Sequence, residues 1–265
     1  MPMSDDVLVE RSDGLVTVTF NRPERKNALD AGCWQALDAV LAEVATSPAD
    51  RALLLTGAGD NFSSGADLSG DGSGGLAGGE MQLIVTEMRI VGEIIRRLQR
   101  LPKPTLAAVD GFAVGVAFGL ALACDLVVAS DRARFCAIFA KRGLALDGGS
   151  SWTLPRQIGL RRAKQMAYFG DMVEAPQALD WGLVNEVVPA EELAETARAW
   201  ARRLADGPTT ALSLSKRLLD ASAGSSFEEA LEGEARSQHI TYTTADMGEG
   251  ISAFLERREP RFTGK

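Results

Sequence analysis

The sequence predicts an α/β protein in which a region of mixed strands and helices precedes a helical C-terminal region. Up to about residue 190, short β-prone segments alternate with amphipathic segments. That alternation is typical of strand–helix–strand units with right-handed crossovers. From residue 191 to 259 the pattern is almost wholly helical, with breaks at Gly207-Pro208 and at residues 223–225. We therefore divide the chain into residues 1–190, an α/β core, and residues 191–265, a helical region.

The first elements follow from their turns and caps. Residues 7–11 and 15–20 are β-prone, and the Asp13-Gly14 pair between them predicts a hairpin. Asp30 stands where an N-cap is needed, because apolar residues recur at helical spacing after it. The apolar residues 52–56 predict a buried strand.

A second helix and a central strand–helix unit come next. The helix is predicted from about residue 80 to 100, where Leu101-Pro102 ends it. Residues 107–125 run from an apolar strand through an Asp-Gly turn into an apolar helix that begins near Gly115. Bare N–H groups at the start of this helix could stabilise an anion, or Gly115 and Gly119 could serve only close packing. Residues 125–129 and 133–136 predict further short strands, and Tyr168 is predicted to lie in the core.

Composition excludes several classes of function. The 265 residues carry a net charge of −8, which argues against binding to nucleic acid or to an anionic membrane surface. The longest apolar run, residues 112–124, is shorter than a membrane span requires. A single histidine, His239, excludes a histidine-rich metal cluster, and we expect no metal site. Unpaired cysteines in apolar surroundings predict buried thiols and a cytoplasmic protein; they are Cys33, Cys124 and Cys136.

Residues 70–75 match the dinucleotide fingerprint G-x-G-x-x-G. The match lies in a Gly/Ser-rich stretch, whereas phosphate binding requires the motif to join a strand to a helix. We therefore expect a flexible loop here and no nucleotide site.

Two segments together carry a specific resemblance. The first is F-S-S-G-A-D-L at residues 62–68, directly after a predicted strand and a short glycine-containing turn. The second is A-V-D-G-F-A-V-G-V-A-F-G-L-A-L-A-C-D at residues 108–125. With N-R-P at residues 21–23 and N-A-L at residues 27–29, they resemble the crotonase family, also called the enoyl-CoA hydratase/isomerase superfamily. The resemblance extends from about residue 7 to residue 258.

The resemblance implies a sharper fold and a substrate class. Members of this family stack ββα units into a spiral, followed by a helical C-terminal region that supports trimerisation and covers the active site. They act on acyl-CoA thioesters and need no cofactor, since CoA is part of the substrate. A homotrimer or a dimer of trimers is the implied assembly.

By the same resemblance, the backbone N–H groups of Ala66 and Val116 hold the thioester oxygen. Many relatives have glycine where this chain has Val116, so its branched side chain would narrow the acyl pocket. The implied substrate and CoA contacts are Arg25, Lys26, Ala28, Ser64, Ala66, Asp67, Leu68, Gly115 and Phe139. For Arg25 and Lys26 the alternative is a solvated basic loop. Residues 69–79 would set the size of the acyl pocket.

The expected catalytic side chain is Asp147. Hydratases of this family carry two glutamates, and the motif match puts Gly119 and Phe139 at those positions, so a two-carboxylate addition of water is disfavoured. The segment G-L-A-L-D-G-G-S-S-W-T-L-P-R at residues 143–156 resembles members that shift double bonds with one aspartate. Apolar neighbours would raise the basicity of Asp147. Alternatively, Asp147 caps a helix that begins near Gly148.

The expected function is therefore an enoyl-CoA isomerase with Asp147 as acid and base. Alternatives are a hydratase in which Asp147 alone activates water, a dehalogenase-like attack by Asp147 with His239 as partner, and an acyl-CoA-binding protein without catalysis.

Overall fold

The computed structural model describes residues 5–68 and 81–265, and of residues 81–84 the backbone alone. The loop at residues 69–79 and the fingerprint at residues 70–75 lie outside the described residues. The strands are β1 (Val7–Ser12), β2 (Leu15–Phe20), β3 (Ala52–Gly57), β4 (Thr105–Val109), β5 (Phe112–Val114), β6 (Leu126–Ser130), β7 (Arg134–Cys136), β8 (Val173–Glu174) and β9 (Glu186–Val188).

Helices connect these strands and make up the C-terminal part of the chain. They are α1 (Ala31–Thr46), α2 (Met81–Gln99), α3 (Val116–Leu122), α4 (Ser150–Phe169), α5 (Ala175–Trp181), α6 (Leu193–Ala205), α7 (Thr209–Ser222), α8 (Phe227–Thr241) and α9 (Ala245–Glu256). Short 3-10 helices lie at Pro23–Arg25 and Ile138–Arg142. The helical pattern predicted after residue 190 is thus confirmed, including both breaks.

The described strands form two sheets. The larger has the order β1-β2-β3-β4-β6-β9, and the smaller has the order β5-β7-β8. In the larger sheet β1 pairs with β2 antiparallel and every other pair is parallel. Strands β4 and β5, and then β6 and β7, fall alternately in the larger and the smaller sheet before a helix follows. This repeat is the ββα spiral that the resemblance implies.

The local predictions at the N-terminus are confirmed. Strands β1 and β2 form a hairpin in which Ser12 pairs with Leu15, so Asp13 and Gly14 are the turn. The Asp30 side chain accepts a hydrogen bond of 2.9 Å from the Cys33 N–H and caps α1. This helix buries its apolar face against the larger sheet through Trp34, Leu37, Val40 and Leu41.

Helix α6 covers the other face of the larger sheet. Its residues Leu193, Ala197 and Ala201 share one apolar cluster with Leu106 and Val128 of the sheet. Small side chains on α6 let its backbone approach the strands closely. The sheet is therefore buried on both faces, as parallel sheets usually are. The division at residue 190 stays a prediction.

One core assignment was wrong. Tyr168 is 66% exposed, because the last turn of α4 leaves its aromatic residues uncovered within a single chain. The cysteines match their prediction: Cys33, Cys124 and Cys136 are buried and unpaired. Burial raises the pKa of the Cys33 and Cys124 thiols to about 12, which keeps them as inert thiols at neutral pH. Among the described helices, none combines the length and apolar character that crossing a bilayer would require.

Candidate active site

The segment at residues 63–66 is held between two other segments by backbone hydrogen bonds. On one side, Leu29 forms a parallel bridge with Ala66: its N–H donates to the Gly65 carbonyl at 2.8 Å, and its carbonyl accepts from the Asp67 N–H at 3.0 Å. Successive N–H groups of an extended segment point to opposite edges. The Ala66 N–H therefore points away from Leu29, and among the described residues it donates to no other protein group.

On the other side the same segment lies along β5. The Ser63 N–H donates to the Phe112 carbonyl at 2.8 Å, and the Val114 N–H donates to the Ser63 carbonyl at 3.2 Å. A Cβ atom at Gly65 would lie 2.7 Å from the Val114 carbonyl oxygen and 3.9 Å from the Gly115 Cα. Only glycine fits so close to another main chain. Gly65 and Gly115 are therefore neighbours in space, and Ala66 and Val116 directly follow them in the sequence.

Val116 is the first residue of α3, and Gly115 is its N-cap with φ 60° and ψ −128°. The Gly115 N–H donates to the Cys136 carbonyl at 2.9 Å, which fixes the entry into the helix. The Val116 N–H belongs to the first turn, where no intrahelical acceptor exists. Like the Ala66 N–H, it donates to no other group in the described part of the chain.

Gly119 lies one turn further along α3, against the backbone of the turn that follows Asp147. A Cβ atom there would lie 2.4 Å from the Gly148 carbonyl oxygen and 3.0 Å from the Gly148 Cα. Conversely, a Cβ atom at Gly148 would lie 3.4 Å from the Val116 Cα. The space that a longer side chain at residue 119 would occupy is thus filled by the main chain at Gly148. Close packing at Gly119 is confirmed.

Gly148 contacts Val116, and Asp147 directly precedes Gly148 in the sequence. Its carboxyl is partly buried, and its Oδ1 atom is buried without a hydrogen-bond partner. Burial raises the pKa of this carboxyl from 3.8 to about 6. A carboxyl in this range exchanges protons readily near neutral pH.

The capping alternative for Asp147 is wrong. Helix α4 begins at Ser150, its N-cap is Gly149, and no side chain caps it. What joins Asp147 to the helix is a backbone bond of 3.0 Å from the Ser150 N–H to the Asp147 carbonyl. The Asp147 side chain is therefore not used by the helix.

A pair of arginines fixes the end of the Ala66 segment. Arg22, which is nearly buried, donates to the Asp67 carboxylate at 2.8 Å and to the Ala28 carbonyl at 2.7 Å. Arg25 approaches the same carboxylate at 3.2 Å. Asp67 thus joins the loop at residues 22–28 to the segment that presents Ala66. This ion pair takes up part of the positive charge that was predicted for CoA phosphates.

The other predicted contact residues lie around this segment. The Ser64 N–H donates to the Lys26 carbonyl at 2.9 Å, and the Lys26 Nζ lies 4.9 Å from the centre of the Phe112 ring. Leu68 is exposed, whereas Ala28 and Phe139 are buried. Gly115 adjoins the site as described above. Substrate contact by these residues stays a prediction.

Sequence reasoning assigned no role to Asn27, which the structure shows to be central. Its side-chain amide donates to the carbonyls of Ala58 and Asn61 at 2.9 and 2.6 Å, and its Oδ1 accepts from the Arg22 N–H at 2.9 Å. Its φ is +54°, a conformation that asparagine tolerates better than most residues. The signal available in the sequence was the N-A-L motif itself, in which Asn27 is the polar residue.

The surface ion pairs of Arg132 were also not predicted from the sequence. Arg132 donates to the Asp110 carboxylate at 2.8 Å and to Asp60 at 3.0 Å. The Asp60 carbonyl lies against Gly111, and the Asn61 Oδ1 accepts from the Phe112 N–H at 3.1 Å. These contacts connect residues 60 and 61, which lead along the chain to Ala66, with residues 110–112, which lead to Val116.

Comparisons with known proteins show what the chain as a whole is similar to. The family model described as enoyl-CoA hydratase/isomerase matches residues 10–265. A curated relative named 1,2-epoxyphenylacetyl-CoA isomerase, from Escherichia coli K12, is 39% identical over 263 residues, covering 99% of this chain and 100% of its own. The short-chain-enoyl-CoA hydratase of Clostridium acetobutylicum is 33% identical over 261 residues, covering 96% of each chain.

Solved structures give the same result. The crystal structure of an enoyl-CoA hydratase from Bacillus anthracis superposes with a TM-score of 0.92 at 28% identity, covering 98% of this chain and 100% of that chain. The match of sequence and fold over nearly the whole length is what shared ancestry produces. This chain belongs to the enoyl-CoA hydratase/isomerase family, of the crotonase superfamily.

Proposed function

We propose that this protein shifts a double bond in an enoyl-CoA thioester, with Asp147 as the group that removes and returns the proton. The carboxylate takes a proton from a carbon of the allylic system, and the electron pair moves onto the thioester oxygen as an enolate. The N–H groups of Ala66 and Val116 hold that oxygen. The protonated carboxyl then returns the proton to the other end of the system, which restores the carboxylate and leaves the isomer.

One observation carries the proposal: Asp147, whose partly buried carboxyl has no hydrogen-bond partner at Oδ1, directly precedes Gly148, which contacts Val116, the residue with the second N–H. A desolvated carboxylate is a stronger base than one in water, and its pKa of about 6 suits both halves of a proton transfer. The donors are main-chain groups with fixed positions, so they need little reorganisation as charge develops.

The contact between Gly119 and Gly148 supports isomerase over hydratase activity. A hydratase that divides the work between two carboxylates would need one at residue 119, where backbone atoms leave no room for a side chain. Dehalogenase-like chemistry has less support, since His239 lies on α8, which packs chiefly on α7.

The test is Asp147→Asn. We expect kcat for double-bond migration to fall by about 10²- to 10⁴-fold, the usual contribution of a general acid–base group. Calorimetric affinity for the enoyl-CoA substrate should stay close to that of the wild type. The matched control is Asp131→Asn, which changes an exposed aspartate and should keep full turnover. Full turnover by Asp147→Asn would contradict the assignment.

Isotope labelling separates the alternatives on one panel of enoyl-CoA thioesters. Migration of the double bond without uptake of oxygen-18 from water supports isomerisation, and the extent of deuterium uptake from D₂O measures how often the proton on the carboxyl exchanges with solvent before it is returned. Oxygen-18 in the product would instead show hydration with Asp147 as the single activating group. Binding of every thioester without turnover of any would show a protein that only binds acyl-CoA.

The assembly and the CoA contacts belong to the same proposal. We propose that three copies, or two sets of three, associate through the C-terminal helices. Large apolar side chains support this because they stay exposed in the single chain: Leu219, Phe227, Phe254 and Leu255 are each at least 73% exposed. Light scattering that gives the mass of one chain would contradict the assembly. The Lys26 ammonium and the Arg25 guanidinium are the proposed partners of the CoA phosphates.

A further inference from the structure

The last three helices bury very little of their surface within the single chain. Of residues 209–256, all of which the structure describes, only Thr209, Asp246 and Ala253 are buried. Helix α6, just before them, instead places four buried residues against the larger sheet. Because burial of apolar surface is the main force that joins elements, α7, α8 and α9 must be attached in another way. We call these three helices the C-terminal arm.

One end of the arm is fastened at the start of α7. Arg51, directly before β3, donates to the Gly207 carbonyl at 2.7 Å and to the Thr209 hydroxyl at 3.1 Å. The Asp246 carboxylate, at the start of α9, accepts from the Gly264 N–H at 2.8 Å. A Cβ atom at Gly264 would lie 2.9 Å from the Thr209 hydroxyl oxygen. These contacts join the beginnings of α7 and α9 beside the break that separates α6 from α7.

The second attachment is an ion pair roughly two turns further along α7, about 10 Å from Thr209. The Lys216 Nζ lies 3.0 Å from the Asp125 Oδ2 atom, and the Lys216 side chain is only 8% exposed. The same Nζ donates to the Lys103 carbonyl at 3.4 Å. A lysine is rarely buried to this extent unless its charge is paired, because an isolated buried charge is costly.

Asp125 is firmly built into the core. Its Oδ2 atom accepts from the Thr105 N–H at 2.7 Å and from the Thr105 hydroxyl at 2.9 Å. In return, the Asp125 N–H donates to the Thr105 hydroxyl oxygen at 2.9 Å. Thr105 begins β4, Asp125 directly precedes β6, and these strands are neighbours in the larger sheet. The carboxylate that receives Lys216 is therefore fixed to two adjacent strands.

Other charged groups nearby do not replace this pair. The Lys103 ammonium donates to the Ser47 carbonyl at 3.3 Å, within the core. The charge of Asp220, on α7, interacts with those of Lys216 and of Arg100 at the end of α2. Asp220 is exposed, however, and exposed charge pairs contribute little to stability.

We propose that the Lys216–Asp125 ion pair is a latch that holds the C-terminal arm in one position on the α/β core. When the pair is broken, α7 separates from β4 and β6, and the arm opens about its attachment at Arg51. The latch thereby sets the direction in which Phe254 and Leu255 face a second copy of the chain. That last consequence rests on the proposed assembly, whereas the latch itself does not.

Hydrogen exchange of the full chain, followed by mass spectrometry, tests the latch. Lys216→Met nearly keeps the length of the side chain and removes its charge. We expect peptides from α7 to exchange at least about tenfold faster, because loss of one partner leaves the other charge unpaired. Peptides from β2 should exchange as in the wild type. The matched control is Arg236→Met, which breaks an exposed ion pair with Glu232 inside α8 and should change neither.

A second variant guards against a local packing defect at Lys216. Asp125→Asn keeps an acceptor for Thr105 and should also accelerate exchange in α7. Since both variants break the same interaction, the double variant should exchange no faster than the faster single variant. Unchanged exchange of α7 in either single variant, or effects that multiply in the double variant, would overturn the inference. Equal acceleration in β2 would overturn it too, because the whole chain would then be destabilised.

Light scattering on the same samples separates the latch from the assembly. If exchange in α7 accelerates as expected while the wild type has the mass of one chain, the latch is real and the proposed assembly is wrong. If the wild type assembles and exchange in α7 stays unchanged in the variants, the latch is wrong and the assembly stands. Neither result bears on the role of Asp147, which its own variant tests.

Discussion

The segment that presents Ala66 and the turn that presents Asp147 are built in opposite ways. Around Ala66, side chains satisfy the surrounding main chain: Asn27 binds three backbone groups, and Arg22 joins a carbonyl to Asp67. Around Asp147, two buried oxygen atoms are left without partners. The first region offers fixed N–H groups, and the second offers a side chain that still has hydrogen-bonding capacity.

The difference fits two demands of the reaction that we propose. Donors to a developing oxyanion are effective when they are already in place, which requires a saturated network behind them. A proton carrier must change its charge during turnover, so partners that favour only one protonation state would hinder it. Stability is expected to concentrate in the first region and pH sensitivity in the second.

The largest expected effect comes from Asn27→Gly, which removes hydrogen bonds from the region around Ala66. Glycine keeps the positive φ and removes three hydrogen bonds, so the free energy of unfolding should fall by about 3 kcal/mol. Chemical denaturation measures this, and kcat should fall too because Ala66 loses its support. The control is Asn185→Ala, which removes a bond of 2.8 Å to the Val127 N–H away from the site and should lower stability alone. Unchanged kcat in Asn27→Gly would break the comparison.

An intermediate effect is expected at Asp147, on the pH dependence of the free energy of unfolding. The pKa of Asp147 is raised from 3.8 to about 6 in the folded protein. The folded state therefore binds this proton more tightly than the unfolded state, and the associated stability is lost as pH rises from about 4 through about 6.

Asp147→Asn removes the carboxyl that titrates, so the variant does not lose this stability as pH rises. At pH 7 the variant should be more stable than the wild type by up to about 2 kcal/mol, after allowance for the exposed part of the carboxyl. Thermal or urea unfolding between pH 4 and 8 measures the difference, which should vanish at the acid end. A difference that does not change with pH would show that Asp147 is not strained by burial.

The smallest expected effect comes from Arg132, the exposed arginine that links Asp60 to Asp110. Arg132→Ala removes ion pairs with Asp60 and Asp110 and should cost less than about 1 kcal/mol, since the guanidinium is 48% exposed. Its kcat/KM should nevertheless fall more than that of Arg134→Ala, which breaks a comparable pair with Glu174. Equal kinetics for both variants would show that the link does not position the N–H donors.

Much of the fold could be predicted from the sequence because its signals are local. The Asp13-Gly14 turn, the Asp30 cap and the apolar residues of β3 each depend on a few neighbouring residues. The alternation between two sheets could not be derived in this way. Strands β5 and β7 are three residues long, and their partners are set by contacts that are distant in sequence.

The site shows the same limit. The motifs supplied the residues for Ala66, Val116 and Asp147, and the structure brings them together on neighbouring segments. Spacing alone could not show that Gly119 touches Gly148, or that the buried hydroxyl of Ser150 has no hydrogen-bond partner among the described residues. Tyr168 was misplaced because helical periodicity shows which residues share a face and not what covers that face.

The contact between Gly119 and Gly148 also restricts how this chain could change its chemistry. A carboxylate at residue 119 cannot be gained by one substitution, because the main chain at Gly148 would have to move first. Remodelling of that loop must therefore precede a new acid at this position. Engineering of water addition into this scaffold should begin by shortening residues 143–149, and only then replace Gly119.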